Sequence, residues 1–214
     1  LVVHTVGWPL DNHTYGGSFC YHAEKNQIYI GYVIGLDYQN PYLSPYDEFQ
    51  RFKTHPKISK YLKNGKRISY GARALIEGGL QSLPQMHMPG ALLVGCDAGT
   101  LNMPKIKGSH TAMKSGILAA ETIVDFIQKN KPLSNFKTKL KKSWLYQELY
   151  KARNVKPSFN WGLIPAILFT GIDQILFRGY LPFTLKHSHA DHETLLSCKD
   201  SKKIEYPKYD EKLT

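Results

Sequence analysis

A strand-length apolar run, Ala91-Leu92-Leu93-Val94, leads into Gly95-Cys96-Asp97-Ala98-Gly99. After a loop through Pro104, a long helix opens near Lys107-Gly108. Glycine at 95 and 99 lets the backbone approach a ligand closely, and the Asp97 carboxylate can accept from sugar hydroxyls. The helix N-terminus aims N–H groups and a partial positive charge at an anion lying above it. A flavin suits such a unit, since its reduced ring carries negative charge near the pyrimidine edge. The same order of elements also serves plain α/β packing. No Ser-His-Asp or paired-carboxylate arrangement stands out, so no catalytic proton-transfer residue is assigned, and redox chemistry would belong to a cofactor.

Metal chemistry finds little support. Cys20, Cys96 and Cys198 are far apart, with no CxxC pair, which excludes a disulfide framework and a four-cysteine site within the chain. His187, His189 and His192 form the one histidine cluster, and they read as a solvent-exposed group in the tail.

The positioning elements follow from local pattern. His4–Val6, Ser18–His22 and Gln27–Leu36 read as strands of an antiparallel meander, with a hairpin loop at Glu24–Asn26. Ser44-Pro45-Tyr46-Asp47 is a helix start, and that helix runs to about Thr54. A short basic helix spans Lys57–Leu62, Asn64-Gly65 ends it, and Lys66–Gly71 reads as a further strand. The run before Gly95 lacks alternation, which suggests a strand covered on both faces as in a parallel sheet. In the helix from Gly108 to Lys129, Ala112, Met113, Ile117, Ala120, Val124 and Ile127 recur at the helical period. Ser115, Gly116, Ala119 and Ala120 are small enough to let that helix pack closely on a sheet.

Net charge is +11, which calls for an anionic partner or surface. Lys131–Lys156 holds eight basic residues and one acidic, with Trp144, Leu145, Leu149 and Tyr150 interleaved, and reads as a basic amphipathic helix. Ser158–Phe177 follows as the most apolar stretch. Its longest uninterrupted piece, Trp161–Ile172, has 12 residues, against roughly 20 needed to span a bilayer. Asp173 and Gln174 interrupt it, and aromatic residues such as Trp161, Phe177 and Tyr180 flank it, so it reads as lying in one leaflet. No nucleic-acid-binding motif accompanies the basic run, so nucleic acid is not the expected partner. From His187 on, the tail reads as loosely structured.

The likeness to one family is longer than any motif. The stretches HTVGWPLDNHTYGGSF, GLDYQNPYLSPYDEFQRFK, GKRISYGARALIEGG, PGALLVGCDAGTLNMPKIKGSHTAMKSGILAAE, SWLYQELYKARNVKPS and TLKH resemble electron transfer flavoprotein–ubiquinone oxidoreductase, up to about Pro207. That resemblance implies a membrane-associated enzyme on the matrix face of the mitochondrial inner membrane. It would take electrons from reduced electron transfer flavoprotein and pass them to ubiquinone, using one FAD and one [4Fe-4S] cluster. By position it implies ubiquinone contacts at Gly16 and Gly17; a quinone head group needs flat backbone and apolar walls, which the neighbouring Tyr15, Phe19 and Tyr21 can supply. It implies FAD contacts at Gly95, Asp97, Gly99, Lys107, Gly108 and Thr111, and membrane insertion of Ser158–Phe177.

Two family features are missing: the G-x-G-x-x-G turn that cradles the FAD pyrophosphate, and closely spaced cluster cysteines. The chain thus reads as a central fragment, inactive alone. The expected fold is mixed α/β, part of an FAD-linked reductase fold with an antiparallel quinone-binding sheet and a monotopic membrane-associated helix. Four segments follow: a ubiquinone-binding part over 1–70, the end of the FAD-binding domain over 71–130, a basic and membrane-associated part over 131–186, and a polar tail over 187–214. The rival readings are a non-enzymatic basic module for membranes or polyanions, and a flavoprotein of the geranylgeranyl reductase-like group. The TYGG and LDYQNPY stretches argue against the latter.

Overall fold

β-Branched and aromatic residues dominate the first three strands, and they pair as a meander in the computed structural model, which describes residues 1–210. β1 (Val2–Val6) lies antiparallel to β2 (Gly16–His22), and β2 antiparallel to β3 (Ile28–Ile34). Lys25 and Asn26, both left-handed at φ 56, turn the β2–β3 hairpin. Gly17 sits opposite Val6 and Val33, and Ser18 opposite Tyr32. One face of this sheet buries Ser18 and Cys20. Its Tyr32 ring stands 5.1 Å from Phe52 of helix α1 (Pro45–Lys53). The Ser44 hydroxyl caps α1 by accepting from the Asp47 N–H. Helix α2 (Pro56–Leu62) follows.

By contacts the described chain divides into two units. The first joins Leu1–Gly71 with Trp161–Ile164 and the tail from Ser188; the second joins Ala72–Asn160 with Pro165–His187. The core of the second unit gathers Met86, Ala98, Leu118, Ala119, Phe136, Leu140, Leu145 and Leu149. Met86 lies just before the strand at His87; the others come from the 95–99 turn, helix α3 (Ser109–Lys129), helix α4 (Asn135–Lys142) and helix α5 (Trp144–Ala152). Helices α6 (Val155–Ser158) and α7 (Leu163–Gly171) come next, and a π-helical turn, Ile172–Leu176, extends α7. The architecture is mixed α and β with a small antiparallel sheet. Among the described residues, no helix is long and apolar enough to cross a membrane.

Several expectations need correcting. Lys66–Gly71 forms no strand: it is extended and exposed, Ile68 and Tyr70 included, because no neighbouring strand pairs with it. The run before Gly95 is not a covered strand either. Only Ala91–Leu92 (β5) is strand, paired antiparallel with His87–Met88 (β4), and Leu93 and Val94 are exposed. A two-residue antiparallel neighbour cannot cover both faces.

Helix α3 packs by the face opposite to the one its hydropathy suggests. Thr111, Ser115, Leu118, Ala119 and Thr122 are buried, whereas Met113 is 65% and Ile127 72% exposed, with Ile117 and Val124 exposed between them. The buried hydroxyls donate back into their own helix, to the carbonyls of Gly108, Ala112 and Leu118 respectively. They therefore pack as small groups with no polar demand left over.

The basic run is three helices, not one. Ser143 ends α4 in an extended conformation and caps α5 through its hydroxyl at 3.4 Å from the Tyr146 N. The tail, too, is held rather than loose. The Leu196 N–H donates to the Gln39 carbonyl, Asn40 Nδ2 to the Lys202 carbonyl, and the Ser44 N–H to the Tyr206 hydroxyl. Residues 211–214, the end of the expected tail segment, lie outside the described residues.

Candidate functional site

In the second unit, Gly95 (φ 81) and Gly99 (φ 91) bound a short 3-10 turn, Cys96–Ala98. Both glycines occupy conformations that side-chain-bearing residues rarely adopt. The Gly95 N–H donates to Ser115 Oγ at 2.9 Å, which ties the turn to the first third of α3. A Cβ on Gly108 would collide with Cys96 Sγ, so glycine there lets the turn and the helix start touch.

The first backbone bond of α3 runs from the Ala112 N–H to the Gly108 carbonyl, and no side chain caps this start. The preceding N–H groups of the first turn therefore belong to the orphan set of a helix N-terminus. Lys107 is exposed beside them. Thr111 is fully buried, its hydroxyl donating to the Gly108 carbonyl. Asp97 is exposed and already held: Arg73 Nη2 lies 2.8 and 2.9 Å from its two oxygens. Of the six residues expected at a flavin, Gly95, Asp97, Lys107 and Gly108 reach the surface, whereas Gly99 and Thr111 are buried. What the arrangement offers such a group is the Gly95 backbone, an uncapped helix start and an exposed carboxylate.

Gly16 and Gly17 are sequential but point to opposite faces of the first unit's sheet. A Cβ on Gly16 would strike the Val33 carbonyl and the Leu10 side chain, and one on Gly17 would strike the Thr5 carbonyl. Close strand approach therefore calls for glycine at both positions. Only Gly17 belongs to the open face, which carries Val6, Phe19, Tyr21 and Tyr29. Phe19 lies across Gly31, and its ring sits 5.5 Å from that of Tyr21 with the planes tilted by 41°, so this face is largely apolar and aromatic.

The apolar segment of the second unit keeps its polar residues off the surface. Ile167, Leu168, Ile172, Ile175, Leu176 and Phe177 are exposed, while Asp173 is fully buried. Gln174 donates to Asp173 Oδ2 and to the Lys151 carbonyl, both at 2.9 Å. The Asp173 carboxylate faces inward, where Oδ2 is paired with Gln174 and Oδ1 is buried without a partner among the described residues.

Sequence reasoning missed three side chains that organise the second unit. Arg153, counted above among the surface cations, is 2% exposed. It donates to the carbonyls of Tyr150, Gly179, Leu181 and Phe183 and to the Thr184 hydroxyl, fixing the chain that returns from the apolar segment. Arg73, within an irregular stretch, reaches Asp97. Glu148 was noted only as the lone acid of the basic run, and it receives Asn102, Lys105 and His110. That isolation was the available signal: an acid kept among so many cations has an electrostatic reason to be there. Among the described residues, no group of three His, Cys, Asp or Glu side chains is placed to hold a metal ion.

Residues 1–75 match the family described as "ETF-QO, ubiquinone-binding". Over 209 residues, 98% of the chain, the sequence is 51% identical to the mitochondrial electron transfer flavoprotein–ubiquinone oxidoreductase of Oryza sativa. It is 52% identical over 221 aligned positions to the mitochondrial protein of that name from Bos taurus. Across 100% of its length it is 50% identical to the oxidoreductase of that name from Pseudomonas aeruginosa. The chain spans 36% of the length of the first two relatives and 40% of the third. The antiparallel sheet with its open aromatic face and the glycine turn against an uncapped helix start thus belong to a chain that is similar, across both units, to part of electron transfer flavoprotein–ubiquinone oxidoreductase.

Proposed function

We propose that this chain is the ubiquinone-side and flavin-side portion of an oxidoreductase that passes electrons from reduced electron transfer flavoprotein to ubiquinone. The observation that carries the reading is identity of 50–52% over 98–100% of the chain to proteins bearing that name. The names of the rice and bovine relatives support a mitochondrial setting, and the inner membrane's matrix face is the surface we infer. FAD and a [4Fe-4S] cluster are the cofactors of this reading, the cluster's ligands being supplied by residues other than those present here.

Within that scheme, residues 1–70 form the ubiquinone-binding part, and the open face around Gly17, Phe19 and Tyr21 receives the quinone ring. Residues 71–130 complete a flavin-binding domain. Gly95 admits the ring system against bare backbone, Gly99 shapes the turn behind it, and the first turn of α3 directs N–H groups at the ring's electron-rich edge. Asp97 accepts from ligand hydroxyls beside Arg73, and Lys107 adds positive charge. When bound, FAD supplies the one- and two-electron chemistry, and the protein supplies orientation and electrostatics. The exposed stripe of α3 with Leu93 and Val94 is the surface that the remainder of a reductase fold covers.

Residues 131–186 form the membrane-associated part. The exposed run through Leu168, Ile172, Ile175 and Phe177 enters one leaflet as a monotopic anchor. Exposed lysines of α4, such as Lys137, Lys141 and Lys142, meet an anionic surface, each contributing about 1 kcal/mol. Residues 187–214 form the tail.

The test uses the full-length protein. Reduced electron transfer flavoprotein should drive ubiquinone reduction, and Asp97→Ala should lower the flavin carried per polypeptide. A full-length protein that purifies without flavin, and gains none when FAD is added, removes this reading.

A further inference from the structure

Helix α3 begins without a side-chain cap, yet its start is not left to drift. The carboxylate oxygen Oε1 of Glu148, on α5, stands 2.7 Å from Asn102 Nδ2, 2.8 Å from His110 Nε2 and 3.3 Å from Lys105 Nζ. All three donors lie in the segment that runs from the Cys96–Ala98 turn into the helix.

Asn102 is itself the organiser of that segment. It is 3% exposed, its backbone N–H and carbonyl both pair with Lys107, and its Oδ1 accepts from the Lys105 N–H. His110 is the second residue of α3, and its ring stacks on Trp144 at 5.8 Å with the planes 6° apart. Trp144 and Glu148 are four apart on α5 and so share one face of it. That face therefore grips His110 from two sides. Because an ionised carboxylate can only accept, Nε2 of His110 is the protonated ring nitrogen.

The charge balance favours an ionised Glu148. Burial raises its carboxyl, but hydrogen bonds from His110, Asn102 and Lys105 outweigh that and hold it below the ordinary glutamate value. Lys105, Lys151 and Arg178 line the same small cavity, of about 150 Å³, and Glu148 is the acid among them.

We propose that Glu148 is the positioning residue for the ligand-facing end of α3. By gathering Asn102, Lys105 and His110 on one oxygen, it holds residues 102–110 so that the uncapped first-turn N–H groups keep their aim. This inference rests on the flavin reading above, which names what those groups face. Glu148 touches no ligand; it acts through the loop and through His110.

The experiment uses the full-length protein stripped of flavin, with Glu148→Ala and Glu148→Gln compared to wild type. Amide hydrogen exchange is read over residues 102–111, with β2 as the internal control. Flavin dissociation constants are then measured by fluorescence titration. Glu148→Ala should accelerate exchange over 102–111 and weaken flavin binding about tenfold, while β2 keeps its protection. Glu148→Gln retains one acceptor oxygen and should restore most of both. Unchanged exchange in Glu148→Ala overturns the proposal, and so does an unchanged flavin constant alongside faster exchange. A wild-type protein that takes up no flavin is a separate result: it removes the flavin reading, while the exchange data still decide whether Glu148 holds the loop.

Discussion

Arg73 Nη2 bridges both oxygens of Asp97, at 2.8 and 2.9 Å, from a stretch of chain that forms no regular element. Both side chains are largely exposed, so the pair adds less than about 1 kcal/mol to stability. A contact so weak for folding fits a carboxylate kept in place for a ligand. In the full-length protein, Asp97→Ala should lower flavin content several-fold, and Arg73→Ala should leave it near the wild-type value. Flavin absorbance per polypeptide reads both. Equal loss in the two variants would show that the ion pair, not the carboxylate, is what the flavin needs.

Gly17 tests the open face of the sheet, though not through a bulky variant. Any Cβ there meets the Thr5 carbonyl, so Gly17→Val should lose about 1–3 kcal/mol through strain in the β1–β2 pairing. A rise in quinone KM measured on that variant would be ambiguous. Phe19→Leu keeps apolar bulk across Gly31 and removes the flat ring. It should raise the KM for ubiquinone with little change in thermal midpoint, and an unaltered KM removes Phe19 from the quinone face.

Arg153→Met should be among the most destabilising single changes in the second unit. Removing the guanidinium takes the donor from the Gly179 and Leu181 carbonyls, while that of Tyr150 keeps the residue-153 N–H and that of Phe183 keeps Asn154 Nδ2; losing even one buried partner costs about 1–3 kcal/mol. Denaturant unfolding should show a lower midpoint at unchanged slope. A midpoint within error of wild type would mean that water replaces the arginine.

Two acids give opposite pH slopes. Burial raises the Glu48 carboxyl, against the hydrogen bond from Tyr206 and the charge of Arg51. A raised carboxyl favours the protonated fold: its contribution is complete below the ordinary glutamate value and is lost as pH rises through the folded value. Glu48→Gln should therefore flatten that fall on the neutral side. Asp125 behaves the other way. Hydrogen bonds from Lys129 and Lys139 lower it to about 2, so its contribution is present above the ordinary aspartate value and fades as pH falls toward 2. Unfolding midpoints from pH 2 to 7 separate the two, and an Asp125→Asn variant with an unchanged acid limb refutes the second.

Vesicle binding separates the apolar segment from the lysines of α4. Binding through Leu168, Ile175 and Leu176 should survive roughly 1 M salt, where the Debye length falls to about 3 Å. Leu176→Asp should then weaken it. Binding abolished by salt alone would assign attachment to α4.

Local pattern made much of the fold legible. The meander shows in alternation over five to seven residues, and α1 shows in the Ser44 cap three residues before Asp47. Features that depend on distant chain did not show. Hydropathy assigns Thr111 and Thr122 outward, because it cannot see a hydroxyl bonded to its own helix. Arg153 reads as a surface cation until its acceptors, 26 to 30 residues away, are in place. The glycine turn at 95–99 was legible because its spacing is local, whereas the opposite facing of Gly16 and Gly17 required the register of three strands.

The hydrogen bond from Tyr206 to Glu48 spans 158 residues of chain, and that from Tyr209 to Asp47 spans 162. At ribosomal speeds of about 5–20 residues per second, helix α1 waits roughly 8–30 s after its synthesis for these partners. Ala72–Asn160 emerges within that interval. Until then Glu48 lacks its Tyr206 partner, so the first unit closes only after most of the second has been made.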